Sequence, residues 1–254
     1  MISHTNAYTR FRKQGDELYD FCVMLSFAIP SLEKQITPLH GNVDGKIPAS
    51  KYFKNTNMTS EELQRRIALA GDSIGKELLL TTFSFFEAYV ASAVQEILEF
   101  HGGVEKIATV FKSTVRHADE HIPANIKKSK RKLQEYPKAN LLPKYQKHQR
   151  VLHDFGYPLP SQRASAFGWL MLSKVLENMK AVKIPEILQD ALLFPITTAE
   201  TGKFHNLRGI RNDIAHGTLT KYPVRTAIEH GAFFRNLAVN IDEHIVENFF
   251  VIEK

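Results

Sequence analysis

The sequence predicts an all-α chain, a helical bundle carrying a basic helical insertion, on three observations. Apolar residues recur at spacings of three and four, in Leu18, Phe21, Cys22 and Leu25 and again in Leu78, Phe85, Tyr89, Ala93 and Leu98, as on helix faces turned to a core. Period-two alternation rich in β-branched residues is scarce, and no Asn-Gly or Asp-Gly turn separates two such runs. Capping residues and glycines also fall where helices of that periodicity should start and stop.

In chain order, the first helix is centred on Leu18 to Leu25, and the Pro- and Asn-bearing stretch from Thr37 to Asn57 reads as a long loop. Thr59 or Ser60 can cap the next helix, whose positive end suits Glu61 and Glu62. A break is expected near Gly71 to Gly75, followed by a long helix to about Phe100 that Gly102-Gly103 stops. Val104 to Ala118 reads as a short helix, and two helical pieces split near Pro137 and Pro143 make up the segment 123–150. Asp154 to Pro160 is a loop, after which Ser161 caps a helix from Phe167 to Met179. Pro185 opens a short helix, Thr198 to His216 forms another ended by Gly217, and Pro223 leads into a last helix from Arg225 to about Val251. With no repeat and no low-complexity linker, residues 1–254 read as one helical domain with 123–150 inserted in it.

Composition narrows the class further. A hydrophobic fraction of 43% and a charged fraction of 24% are those of a globular protein and exclude wholesale disorder. The single cysteine, Cys22, excludes an intrachain disulfide and a cysteine-built zinc site, which fits a reducing compartment. Its apolar neighbours Phe21, Val23, Met24 and Leu25 give it the role of a small buried hydrophobe. Residues 1–14 lack the apolar run of a cleavable signal. The most apolar stretch, Leu78 to Leu98, contains Glu87, Gln95 and Glu96, which a membrane would make costly, so it reads as a core helix of a cytoplasmic protein.

Charge is concentrated. The chain has 33 Lys or Arg against 27 Asp or Glu, and nine of the basic residues lie between Lys127 and Arg150 beside one acid, Glu135. The remaining 24 basic and 26 acidic residues nearly cancel. Such a local field attracts a polyanion, with Lys127, Lys128, Lys130, Arg131 and Lys132 as the candidate RNA contacts. A solvated insertion without a partner is the competing reading.

The residues with chemistry are Arg211, Asn212 and His216. On a helix of about 100° per residue, Leu207, Ile210 and Ile214 share a stripe within about 60°, expected to be buried. Arg208, Asn212 and His216 follow one another at spacings of four on a polar stripe turned away from it, and Arg211 lies between the two. An imidazole can take the proton of an RNA 2′-hydroxyl or protonate the leaving oxygen. A guanidinium fork holds a phosphate and stabilises charge that builds on it, while an amide orients its neighbours or bonds the phosphate. The 2′-hydroxyl is itself the nucleophile, so this chemistry needs no metal and no cofactor.

The run Leu207-x-x-Ile210-Arg211-Asn212-x-x-x-His216-Gly217 resembles the R-N-x-x-x-H signature of the HEPN superfamily. The segment Thr82 to Val90, with Ser84, Phe86, Glu87 and Tyr89, is similar to the "SxFEaYl" helix of the larger bacterial HEPN proteins, the RiboL-PSP-like group. That resemblance implies a HEPN-type helical bundle, a two-fold homodimer with paired motifs in a cleft, and metal-independent RNA cleavage leaving a 2′,3′-cyclic phosphate. It implies catalytic roles for Arg211 and His216, and an orienting or phosphate-binding role for Asn212. Many such proteins are toxins or anti-phage effectors, so a regulatory or antitoxin partner protein is expected as well. Some members only bind, which leaves a catalytically silent module for RNA or a partner protein as the alternative. Glu87 and Arg208 are the candidate supporting residues, Glu87 as a partner of Arg211 or else as a partly exposed surface acid.

Two further motifs are set aside. His117-Ala118-Asp119-Glu120-His121 has the H-x-x-E-H spacing of a zinc site, but a helix is ending there and no further ligand follows. Ala70 to Glu77 imitates a phosphate loop, yet Glu77 stands where Ser or Thr is required and no strand precedes it.

Overall fold

A computed structural model of the chain describes residues 3–36, 59–103, 123–134, 147, 151, 180–192 and 194–250. Every regular element among them is helical. The principal helices are α1 (Asn6–Ile36), α2 (Ser60–Phe100), α3 (Ala124–Gln134), α4 (Thr198–Ala215) and α5 (Val224–Phe249). Before α4, Ala181–Lys183, Ile184–Glu186 and Ile187–Ala191 form successive 3₁₀, α and π turns, with Pro185 in the first turn of the α segment. The expected elements at Thr37–Asn57, Val104–Ala118 and Phe167–Met179, and the H-x-x-E-H run, lie outside the described residues.

The helix ends follow from local chemistry. Thr59, rather than Ser60, caps α2: its hydroxyl accepts from Glu62 N at 3.2 Å. At α4 a complete capping box forms, in which Thr197 Oγ1 accepts from Glu200 N at 3.1 Å and Glu200 Oε2 accepts from Thr197 N at 2.8 Å. The C-terminus of α2 closes as the sequence predicts. Gly102 adopts φ 78°, Gly103 N donates to Leu98 O at 2.7 Å and Gly102 N to Glu99 O at 3.0 Å.

Two compact units emerge from the packing, Met1–Arg12 with Phe85–Gly209 and Arg235–Lys254, and Lys13–Ser84 with Ile210–Phe234. The core of the first is aromatic: Phe11 meets Tyr89 at 5.4 Å between ring centres, and Phe86 meets Phe204 at 6.1 Å. Tyr89, buried to 2%, donates its hydroxyl to Ala238 O at 3.1 Å, and burial raises its pKa well above that of a free phenol. Asp242 of α5 is fully buried yet satisfied. It accepts from Thr5 N at 3.2 Å, from Thr5 Oγ1 at 2.6 Å and from His4 Nδ1 at 2.9 Å. Thr5 Oγ1 in turn accepts from Tyr8 N at 2.9 Å, capping α1.

In the second unit Phe83 packs edge-on to Phe234 at 5.3 Å, both rings fully buried. α2 is the one described helix long and apolar enough to cross a membrane; Leu79, Phe83, Phe86 and Ile97 along it are fully buried within the fold. On α1 the expected apolar face is only partly covered. Phe21 is exposed and Leu18, Cys22 and Leu25 are half-buried, although burial still raises the Cys22 thiol pKa.

α2 also corrects one expectation. It runs unbroken through Gly71 and Gly75, and the two glycines differ in cause. A Cβ on Gly71 would meet nothing, whereas on Gly75 it would run into the carbonyl oxygen of Tyr222 and come within 2.9 Å of Pro223 C. Gly75 is therefore a close-approach position and not a helix stop. Opposite effects are expected from the two alanine substitutions. Gly75→Ala should lose about 2–3 kcal/mol from forced displacement, and Gly71→Ala should gain about 0.5–1 kcal/mol from helix propensity, both read from urea unfolding midpoints.

Candidate functional site

α4 carries the motif, and its buried face is set by Phe204 and Leu207 at 0% exposure and Ile214 at 9%. Ile210, expected in the same stripe, is only half-buried. Arg211 and Asn212 are half-buried and joined: Arg211 Nη1 donates to Asn212 Oδ1 at 3.1 Å. The Arg211 guanidinium carbon lies 5.6 Å from the centre of the Phe83 ring, a cation–π placement that fixes the long side chain against α2. Accepting from Arg211 occupies the Asn212 carbonyl oxygen and aims the amide's two N–H donors elsewhere. Motif spacing did not single out Phe83 as this platform, although it stands inside the aromatic run Thr82 to Val90.

His216 sits one residue past the helix rather than in it, since α4 ends at Ala215. Its position is that of the capping residue of a Schellman motif. Gly217 takes φ 73°, Gly217 N donates to Ile214 O at 3.0 Å and Thr218 N to Asp213 O at 2.9 Å. Leu219 N and Thr218 Oγ1 converge on the same Asp213 oxygen at 3.1 and 2.9 Å. The backbone of His216, donating to Asn212 O at 2.8 Å, is thus held while its imidazole is exposed.

The connection after it is fixed against α2. Lys76 Nζ donates to Thr220 O at 3.3 Å, and Tyr222 N donates to Asp72 Oδ1 at 2.8 Å. Tyr222, 5% exposed, has its hydroxyl hydrogen-bonded to His230 Nδ1, and burial pushes its pKa up to about 12. The phosphate-loop look-alike around Gly71 to Gly75 is therefore a docking strip for the segment that leaves the motif.

Arg208 is half-buried, with Nε out of contact with solvent, so the polar stripe of Arg208, Asn212 and His216 is less outward than the helical wheel implies. Glu87 is half-buried one turn beyond Phe83 on α2. On α3, Ile126 and Ser129 are buried while Lys127, Lys128 and Arg131 are exposed; Lys130 and Lys132 belong to the same helix. No group of three or more His, Cys, Asp or Glu able to hold a metal occurs among the described residues.

No family model matches the chain, and neither a curated protein nor a solved structure matches it.

Two outcomes test the local account. Gly217→Ala should cost about 1–2 kcal/mol, because a side chain resists the left-handed conformation, and the loss should show as a lower melting temperature. The neutral Tyr222 phenol contributes stability that is complete below pH 10 and is lost as pH rises toward about 12. Tyr222→Phe should flatten that part of the stability–pH curve measured by urea unfolding.

Proposed function

We propose that this chain is a metal-independent endoribonuclease of the HEPN type, acting as a homodimer and serving as a toxin or anti-phage effector. The observation that carries the reading is a guanidinium braced on an aromatic ring and bonded to an amide, with an exposed imidazole on a rigid cap one turn later. This suits a phosphodiester, because the guanidinium is braced and the backbone beneath the imidazole is held before substrate arrives.

In the proposed reaction the RNA 2′-hydroxyl attacks the adjacent phosphorus, and the bond to the 5′-oxygen breaks. The products are a 2′,3′-cyclic phosphate and a free 5′-hydroxyl. His216 takes the 2′-hydroxyl proton, and an imidazole of the dimer returns a proton to the leaving oxygen. Arg211 stabilises the charge gathering on the phosphoryl oxygens, and the outward amide N–H groups of Asn212 orient that group. Glu87 keeps the supporting role the sequence assigns it. The exposed Lys127, Lys128 and Arg131, with Lys130 and Lys132, track the RNA backbone.

That exposed basic face of α3 equally favours a second reading, a helical module that binds RNA or a partner without cutting. Cleavage of total RNA in EDTA separates the two. Purified wild type should cut, His216→Ala should lose about 10²–10⁴-fold in rate, and Arg211→Lys should remain impaired because an ammonium cannot replace the fork. Wild type that binds RNA and leaves it intact would support the binding module instead.

A further inference from the structure

Arg208 and His205 stand three residues apart on α4, both half-buried. That spacing puts their side chains on one face of the helix, with Cβ atoms about 5–6 Å apart. Each holds one nitrogen out of solvent with no hydrogen-bond partner, Nε of Arg208 and Nδ1 of His205. Among the described residues neither forms an ion pair, and their remaining nitrogens are open to solvent.

Half-burying a guanidinium strips part of its water, and such arginines ordinarily carry a carboxylate or a phosphate on the fork. The buried Nδ1 of His205 has nothing to donate to, so the less costly tautomer leaves it unprotonated and places the proton on Nε2, the outward nitrogen. To solvent the two residues present the two Nη groups of a guanidinium and a single N–H donor, since the Nε of Arg208 and the unprotonated Nδ1 of His205 both lie out of solvent. An oxyanion matches both the donors and the charge; an amide carbonyl accepts from the donors but leaves the charge unmatched, and a cation or an apolar group does neither.

We infer that His205 and Arg208 form a phosphate-binding pair that takes a backbone phosphate of the RNA strand. The inference rests on the reading of the chain as an RNA-acting protein, and it changes the role of Arg208 from a support for other side chains to a direct contact. The contact is made alike in the ground and transition states, so its loss raises KM and spares kcat.

The test uses binding, so that it does not depend on cutting. The affinity of a 2′-O-methyl RNA oligonucleotide, which lacks the nucleophile, is measured by fluorescence anisotropy over a potassium chloride series. Arg208→Gln is expected to weaken binding about tenfold and to lower the slope of log K against log salt by about 0.7, the value for one phosphate of a single strand. His205→Ala, which removes the N–H donor, should weaken binding severalfold and leave the slope alone. An Arg208→Gln slope equal to wild type overturns the pair. If Arg208→Gln does not fold, Arg208→Lys decides: the slope should persist with reduced affinity, and unchanged affinity overturns the pair.

Cleavage assayed on the same preparations keeps the two readings apart. Protein that binds with the Arg208-dependent slope but cuts nothing refutes the nuclease and supports the pair. Protein that cuts with a slope indifferent to Arg208 retains the nuclease and refutes the pair. Failure to bind the oligonucleotide at low salt refutes the pair outright.

Discussion

Residues 210–234 depend on how closely the backbone of Tyr222 lies on α2. Only a hydrogen at position 75 permits that approach, and once it is made the neighbouring contacts follow. Asp72, one turn before Gly75, meets the Tyr222 amide, and Lys76, the next residue, meets the Thr220 carbonyl. The chain between α4 and α5 is then fixed at its far end by α2 and at its near end by the carbonyl of Asp213. His216 begins that connection, so the imidazole proposed to carry the chemistry sits on backbone with little freedom. A flexible loop at this point would charge each encounter with substrate the entropy of ordering it.

Much of this was legible in the sequence. Helical periodicity marked the all-α class, Gly102-Gly103 and Gly217 marked two helix ends, and the limits of α4 and α5 fell within two residues of those read from the chain. These are local signals, and helix ends are decided within a turn. The Thr197-x-x-Glu200 capping box was equally readable, although its helix was placed on periodicity alone. Gly75 shows where such reading stops. Glycine serves as a helix breaker and as a point of close approach, and nothing within a turn of residue 75 distinguishes the two, because the deciding atom lies 147 residues away in Tyr222. The same limit applies to Arg208. A helical wheel reports the direction of a side chain from its own core stripe, but not what other parts of the chain bring over it. Phe83 was invisible as a platform for Arg211 for that reason, since stacking is a contact between helices and leaves no spacing to read.

The site also distributes its tasks by the physical nature of its residues. In the proposed site Arg211 gains from a surface to lie on, because its four-bond stem would otherwise sample many rotamers, and the Phe83 ring supplies attraction at that point. His216 needs no such brace, having two rotatable bonds, and a stiff main chain under it suffices. In the proposed reading the exposed cations of α3 act by long-range attraction, which depends on the sign and density of a charge cluster more than on rotamer.

Asp242 and Thr5 lead to a different consequence, concerning the order of events during synthesis. The cap of the first helix is tied to a carboxylate that lies 237 residues further along the chain. At translation speeds of about 5–20 residues per second, α1 emerges long before that partner exists. The nascent chain therefore carries α1 with an unanchored start until residue 242 has been made, and only then can α5 complete the tie. Closure of the first unit thus waits for α5, and a chain cut short before residue 242 cannot reach it.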